Sequence, residues 1–406
     1  MSYLRLDRDL QKKWTPKFSG TISRIPLRPL YVARMRELAL AKRDAIRLTS
    51  GEPDFPTPPH IVDAAKKALD DGYTHYTSSS GLPEFRAAVS EHLKDRGGDF
   101  RPSQILVTAG AVEGLYLAAT AMLGPRDECI IPDPGYTSYE AMVCLAGGTP
   151  VAAPVNEKTQ NLDAATVEKA MTSKTRLLIL NSPSNPTGGI IPLKELRAII
   201  RTCAEKGVVV LSDEAYDNIV YDYSLFASVM HVPGMEENTI LVNTLSKTYA
   251  MTGWRVGYVA ARQEIVDALS TLQTYVALSV NAASQKAGVA ALRGPQDSIK
   301  LMVEEFRVRR DMVVERLNRI RGFRCPVPPG AFYAFPKVEG YGMDSLKLSE
   351  YLINEGSVGV YPGIGFGQRG EGRIRLSYAS SREDLAEGIR RIDAALSRLT
   401  SSSPGR

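Results

Sequence analysis

The chain has 406 residues, of which 44% are hydrophobic and 23% charged, and it carries a formal net charge of +5. A chain this long and apolar buries a large core, which excludes a disordered or fibrous protein and leaves room for one large and one smaller domain. The mild basic excess is spread among Asp and Glu along nearly the whole length, which argues against nucleic acid as a partner.

The opening, MSYLRLDRDLQKKW, lacks the apolar segment of a signal peptide, and no apolar run approaches the ~18 residues of a membrane span. A soluble, cytoplasmic protein is expected. The arm that follows is rich in Pro and Arg (Pro16, Arg24, Pro26, Arg28, Pro29) and leads into LTSGEPDFPTPPH, whose prolines and glycine exclude regular structure there. From Ile105 onward, short aliphatic runs alternate with helical patterns: ILVT, a helix from Ala111, ECIIPDP, LLILN, VVVLSD, TILVN and VGYVA. That alternation predicts an α/β fold with a mostly parallel central sheet flanked by helices.

The texture changes after about residue 295. The stretch Arg307 to Arg324 is the densest in basic residues, yet Met302, Phe306, Val313, Leu317 and Ile320 fall at helical spacing, so its charges form the wet side of an amphipathic helix. Strand-like FYAFP, a helix near Ser345 to Glu355, the strand RIRLSYA and a last helix complete a separate α+β layer. Ser380-Ser381-Arg382-Glu383 reads as the capping box of that last helix, with Leu385, Ile389, Ile392, Leu396 and Leu399 on one face. The expected divisions are residues 1–50 as an arm joining the small domain, 51–295 as the large domain, 296–400 as the small domain and 401–406 as a mobile tail.

Cys129, Cys144, Cys203 and Cys325 lie far apart with no C-x-x-C, and His60, His75, His92 and His231 show no ligand spacing, so no metal is expected. Gly365 to Gly370 formally satisfies G-x-G-x-x-G. A dinucleotide fold requires a strand before it and a helix after it, whereas a strand follows here, so the stretch reads as a loop.

Four segments carry chemistry: TAGAVEGL, NSPSNPTGG, SDEAY and NTLSKTYAMTGWRVGY. Three of them leave the ends of predicted strands, where open parallel sheets place their ligand sites. Taken with GEPDF and PDPGYTSY, their order and spacing resemble the class I aminotransferases of pyridoxal phosphate (PLP) fold type I, the family that includes aspartate aminotransferase. The resemblance runs from about Ile22 to the final helix.

The resemblance implies a role for each matching residue. Lys247 is the lysine that joins the PLP aldehyde as an imine, which requires an amine made nucleophilic by burial beside other cations. Arg255, Thr244 and the backbone amides of Gly110, Ala111 and Val112 cradle the phosphate at a helix start. Asp213 pairs with the pyridine nitrogen, Tyr216 and Asn185 face the phenolic oxygen, and Tyr136 stacks on the ring. Tyr76 reaches the phosphate of a neighbouring subunit, which implies a homodimer with shared active sites. Arg375 grips the substrate α-carboxylate; it shares a strand face with Arg373, and the R-L-S-Y match selects it. Asn185 and the backbone at Gly51 border the same carboxylate, and the PG-x-x-FG loop borders the substrate pocket.

The implied reaction is ping-pong transfer of an amino group from an L-amino acid to a 2-oxo acid, with glutamate and 2-oxoglutarate as the expected common pair and Lys247 carrying the α-proton. Some relatives that use aspartate carry polar residues in the N-terminal arm and a lysine just after the phosphate-cup glycine, where this chain has Pro29-Leu30-Tyr31 and Val112; the apolar Leu30, Tyr31 and Val112 suit alanine, branched or aromatic donors equally. Arg28 is a candidate second arginine. Two alternatives stay open: a PLP-dependent β-elimination lyase cutting carbon-sulfur bonds, and a noncatalytic PLP-sensing module.

Overall fold

A computed structural model gives the structure of residues 25–26 and 28–401. The expectations for the rest of the N-terminal arm, for the Arg28 side chain and for the tail beyond Ser401 lie outside the described residues.

A helix at Arg28–Ala41 leads to β1 (Ile46–Arg47) and then into the irregular GEPDF segment. The large sheet consists of β2 (Ile105–Thr108), β3 (Glu128–Asp133), β4 (Thr149–Pro154), β5 (Thr175–Asn181), β6 (Val209–Asp213), β7 (Thr239–Thr244) and β8 (Gly257–Ala260), in the order β2-β8-β7-β6-β5-β3-β4. The pairs from β4 through β3, β5 and β6 to β7 are parallel, and β8 runs antiparallel between β7 and β2. The fold is therefore α/β with a mostly parallel central sheet, as the alternating pattern predicts.

Near-continuous aliphatic strands belong in a sheet covered on both faces. Successive side chains divide between the two: Leu178, Leu180, Val210 and Leu241 enter one core, and Leu177, Ile179, Leu211, Ile240 and Val242 enter the other. Because β2, β5, β6 and β7 point the same way, their C-terminal ends meet at one edge of the sheet. The reversed β8 brings its first residue to that edge, with Gly257 opposite both Thr108 and Thr244.

The C-terminal part centres on a further core, in which Phe306, Phe332, Leu352 and Ile392 join Leu48, Tyr216 and Ile219. Its strands are β9 (Phe323–Arg324), β10 (Tyr333–Ala334), β11 (Lys337–Val338), β12 (Val358–Gly359), β13 (Tyr361–Pro362) and β14 (Ile374–Ser377). β10, β14 and β13 form a three-stranded antiparallel sheet with Arg375 opposite Tyr361, while β12 pairs with β1 and β11 with β9. Two readings shift here. The amphipathic helix closes at Leu317, so Ile320 lies in the turn beyond it and reaches the same core from there. The last helix begins at Arg382, so its cap is Ser381, whose hydroxyl accepts from the Asp384 amide at 3.1 Å, rather than a box from Ser380 to Glu383.

All four cysteines are buried, and none is in a disulfide. Among the described residues no helix is long and apolar enough to cross a membrane.

Candidate active site

A cavity of about 320 Å³ opens at the sheet edge where these strand ends meet. It is lined by Gly51, Ala111, Val112, Tyr136, Asn185, Asp213, Tyr216, Thr244, Lys247, Arg255 and Arg375, so the structure gathers nearly every residue singled out in the sequence. Gly110 stands just behind the wall. Tyr76 is 83% exposed and does not line the cavity of its own chain.

One end of the cavity is built for an anion. Gly110 precedes the helix Ala111–Met122, and no side chain caps that helix. Its first amides therefore lack intrahelical acceptors and carry the positive end of the helix dipole. Gly110 has φ +79°, and a Cβ there would stand 2.7 Å from the Arg255 guanidinium, so only glycine lets the arginine come this close. Arg255 itself has φ +53°, a strained conformation for a non-glycine residue. Its guanidinium donates to the Ala109 and Thr252 carbonyls at 3.0 Å each. Thr244 ends β7, and its hydroxyl accepts from the Ser246 amide at 3.2 Å, capping the turn that carries Lys247.

At the cavity floor, the Asp213 carboxylate accepts from the Tyr139 hydroxyl at 2.6 Å and the Ala215 amide at 3.2 Å. No ion pair neutralises it among the described residues, and burial pushes its pKa up. Lys247 donates to the Gly51 carbonyl at 2.6 Å. Burial, reinforced by Arg255 and Arg375 and opposed by Glu52 and Asp213, brings its amine down to about 8, so a substantial neutral, nucleophilic fraction exists near physiological pH.

The neighbour of Asp213, Glu214, is buried on the far side of the strand, and burial pushes its carboxyl up to about 7 from the ordinary 4.5. A raised folded-state pKa contributes stability fully below 4.5, lost as pH rises through 7. Glu214 Oε1 accepts from Ser212 and from the Val229 amide, and a glutamine carbonyl can do the same. Glu214→Gln is therefore expected to match the parent at pH 4.5 and to exceed it by about 1–3 kcal/mol at pH 8, read by chemical denaturation at both values. An equal difference at the two pH values would refute the assignment.

The opposite end holds Arg375, buried on β14. Its guanidinium donates to Asn185 Oδ1 at 3.1 Å and to the Thr49 carbonyl at 2.9 Å, and its Nε is buried without a partner. The rings of Tyr333, Tyr361 and Phe366 surround it, with centroids 4.3, 4.9 and 5.0 Å away. No carboxylate pairs with it among the described residues. A buried cation held only by neutral groups favours an incoming anion. Arg373, by contrast, donates to the Phe335 carbonyl and does not line the cavity.

Sequence reasoning passed over several contributors: Tyr139, Asn181, Tyr333 and Tyr361 line the cavity too. Asn181 donates to the Asp213 carbonyl at 3.0 Å and accepts from the Asn185 amide at 2.7 Å, tying the ends of β5 and β6 to the NPTG turn. Tyr139 lies within PDPGYTSY, three residues past Tyr136 and so on the same face of a helical turn; the two rings meet edge to face at 5.4 Å. That spacing was the available signal. The G-x-G-x-x-G stretch is a loop of short turns, and its Phe366 lines the cavity.

An α/β fold whose cavity gathers Arg255, Arg375, a buried carboxylate at Asp213 and a lysine amine of lowered pKa has the groups an enzyme needs to work on a charged organic ligand. The sequence pattern of the aminotransferase class I and II family matches residues 43–392, and the chain belongs to that family. It is an amino acid aminotransferase. It is 42% identical over 373 residues to an aspartate aminotransferase of Pyrococcus horikoshii, covering 90% of this chain and 94% of the relative. It is 40% identical to aromatic-amino-acid aminotransferase 2 of Thermococcus litoralis, covering 91% and 96%. The solved structure of Thermus thermophilus aspartate aminotransferase with maleate matches with a TM-score of 0.88 at 34% identity, over 94% of this chain and 100% of that one.

Proposed function

We propose that this chain transfers an amino group from an L-amino acid to a 2-oxo acid, with 2-oxoglutarate as the common acceptor and PLP held covalently by Lys247. The observation that carries this reading is the charge layout of the cavity: two arginine sites and an unpaired buried carboxylate surround one amine of lowered pKa. The residues fit the cofactor. Arg255, Thr244 and the amides after Gly110 would hold its phosphate, Asp213 its ring nitrogen, Tyr216 and Asn185 its ring oxygen, and Tyr136 its face. When bound, PLP supplies an electron-withdrawing ring that makes the α-proton of an amino acid removable.

The protein's own part is binding, orientation and proton movement. Arg375 binds the α-carboxylate with Asn185 and the Gly51 backbone beside it, which fixes the α-carbon next to Lys247. Lys247 Nζ, once free, takes the α-proton and later returns it, so one amine serves as nucleophile and base. Asp213 presents its carboxyl group to the ring nitrogen from beneath the site.

A neighbouring cavity of about 570 Å³ shares Thr49, Gly51, Lys247 and Tyr361 with the first and is lined by Arg36 and Arg47. Neither arginine has an ion-pair partner among the described residues, which supports a diacid such as 2-oxoglutarate. Val32 and Val112 in the main cavity support apolar donors. A homodimer with shared sites is the assembly we propose; exposed Tyr76, Tyr275, Val276 and Leu278 support it as an apolar surface, with the Thr77 amide donating to Ser279 at 3.4 Å to keep the two segments together. Four buried cysteines with no disulfide among them support work in a reducing compartment, the cytoplasm.

The test is single turnover of the purified enzyme with a panel of amino acids and no acceptor, following cofactor absorbance. Conversion to the amine form by some amino acids, reversed by 2-oxoglutarate, is expected; release of pyruvate and ammonia with the cofactor unchanged would overturn the reading in favour of elimination. Arg375→Ala is expected to raise KM for all amino acid donors by about 30-fold or more, because it removes a buried charge pair at the carboxylate. A defect confined to one donor would show that the arginine reads side chains.

A further inference from the structure

Tyr333 sits on β10 at the centre of the site, 1% exposed, and the proposed chemistry gives it nothing to do. Its hydroxyl lies 2.8 Å from the hydroxyl of Tyr216. Its ring lies under the Arg375 guanidinium at 4.3 Å. It therefore touches both the group facing the cofactor's ring oxygen and the group facing the substrate carboxylate.

Two hydroxyls carry two protons, and a bond between them uses only one. The other belongs to whichever hydroxyl accepts, and it has no protein acceptor among the described residues. The arginine cation over the Tyr333 ring draws electron density from it and makes its hydroxyl the more acidic of the two, hence the donor. Tyr216 then accepts, and its own proton is left for a ligand oxygen in the cavity. A bonded chain of this kind strengthens its last donor, because each hydroxyl polarises the next.

We infer that Tyr333 is a positioning residue that aims the Tyr216 proton at the cofactor's ring oxygen and makes that donation respond to whether a carboxylate is bound at Arg375. The inference rests on the PLP reading of the site. A carboxylate bound at Arg375 offsets the cation, Tyr333 becomes a weaker donor, and the ring oxygen loses part of its hydrogen bond before any bond of the substrate has changed.

The experiment is a pH titration of cofactor absorbance in the holoenzyme, for the parent and for Tyr333→Phe, each with and without saturating propionate. The phenylalanine keeps the ring under Arg375 and removes only the hydroxyl. The midpoint of the parent is expected to rise on adding propionate. The midpoint of Tyr333→Phe without propionate is expected to lie about 0.5–1 pH unit above the parent's, the value of one hydrogen bond, and to move less on adding it. KM for amino acids should change little in Tyr333→Phe and rise several-fold in Tyr333→Leu, which also loses the ring. A purely structural tyrosine would alter thermal stability and leave the midpoint in place. If the parent titrates and Tyr333→Phe has the same midpoint and the same propionate response, the inference fails while the PLP reading stands; if the parent shows no pH-dependent cofactor band, both fail.

Discussion

Lys247→Ala is expected to lower turnover by more than about 10⁴-fold, since one substitution removes both the cofactor's covalent anchor and the base that moves the α-proton. The fold should survive. Among the described residues the side chain makes a single hydrogen bond, to the Gly51 carbonyl, and it opens into the cavity rather than filling the core. Borohydride reduction followed by mass analysis reads the anchor directly: the parent should gain one cofactor mass on the peptide containing Lys247, and the variant none. Because the amine has been brought down to about 8, the initial rate of adduct formation by the cofactor-free parent should climb between pH 6 and 8 and then level off. Near-normal turnover in the alanine variant would dismiss the assignment.

Asp213→Ala is expected to slow the half-reaction by about 10²–10³-fold, the cost of removing one preorganised electrostatic partner from a buried site. Cofactor should still bind, because the phosphate end is built from other residues. Substitution of the α-hydrogen by deuterium should slow the variant by a larger factor than the parent, as proton removal becomes rate-limiting. Tyr139 loses its acceptor in this variant, so Tyr139→Phe serves as the control. A Tyr139→Phe enzyme as slow as Asp213→Ala would assign the effect to the tyrosine.

Much of the sheet was legible because β5, β6 and β7 are unbroken aliphatic runs, which only a strand covered on both faces explains. The chemistry at their ends was legible for the same reason. Asp213 and Thr244 close β6 and β7, and Asn185 lies four residues past the end of β5, so their place at one edge follows from the strands being parallel. The small layer was harder to read. β10 and β13 each span two residues, too short for any period to show, and it is the pairing of β13, β14 and β10 that brings Tyr361 and Tyr333 to Arg375. The Thr49 carbonyl was invisible for a different reason: a main-chain acceptor leaves no mark on the sequence. The cap of the last helix slipped by one residue because Ser380 and Ser381 are both good caps, and Asp384 fits Ser381 as well as Glu383 fits Ser380.

The cavity has two kinds of wall, and they come from unrelated stretches of chain. Its floor rests on the ends of β5, β6 and β7, where a displaced side chain would disturb the sheet as well as the chemistry. Its side walls are borrowed: Val32 from the first described helix, Val112 from a helix start, Tyr361 and Phe366 from the small layer. Such a wall can be exchanged one residue at a time while the reaction underneath is left alone. Substrate preference in a molecule built this way can drift over evolutionary time far faster than its chemistry, and two relatives about equally like this chain carry the names of an aspartate enzyme and an aromatic one.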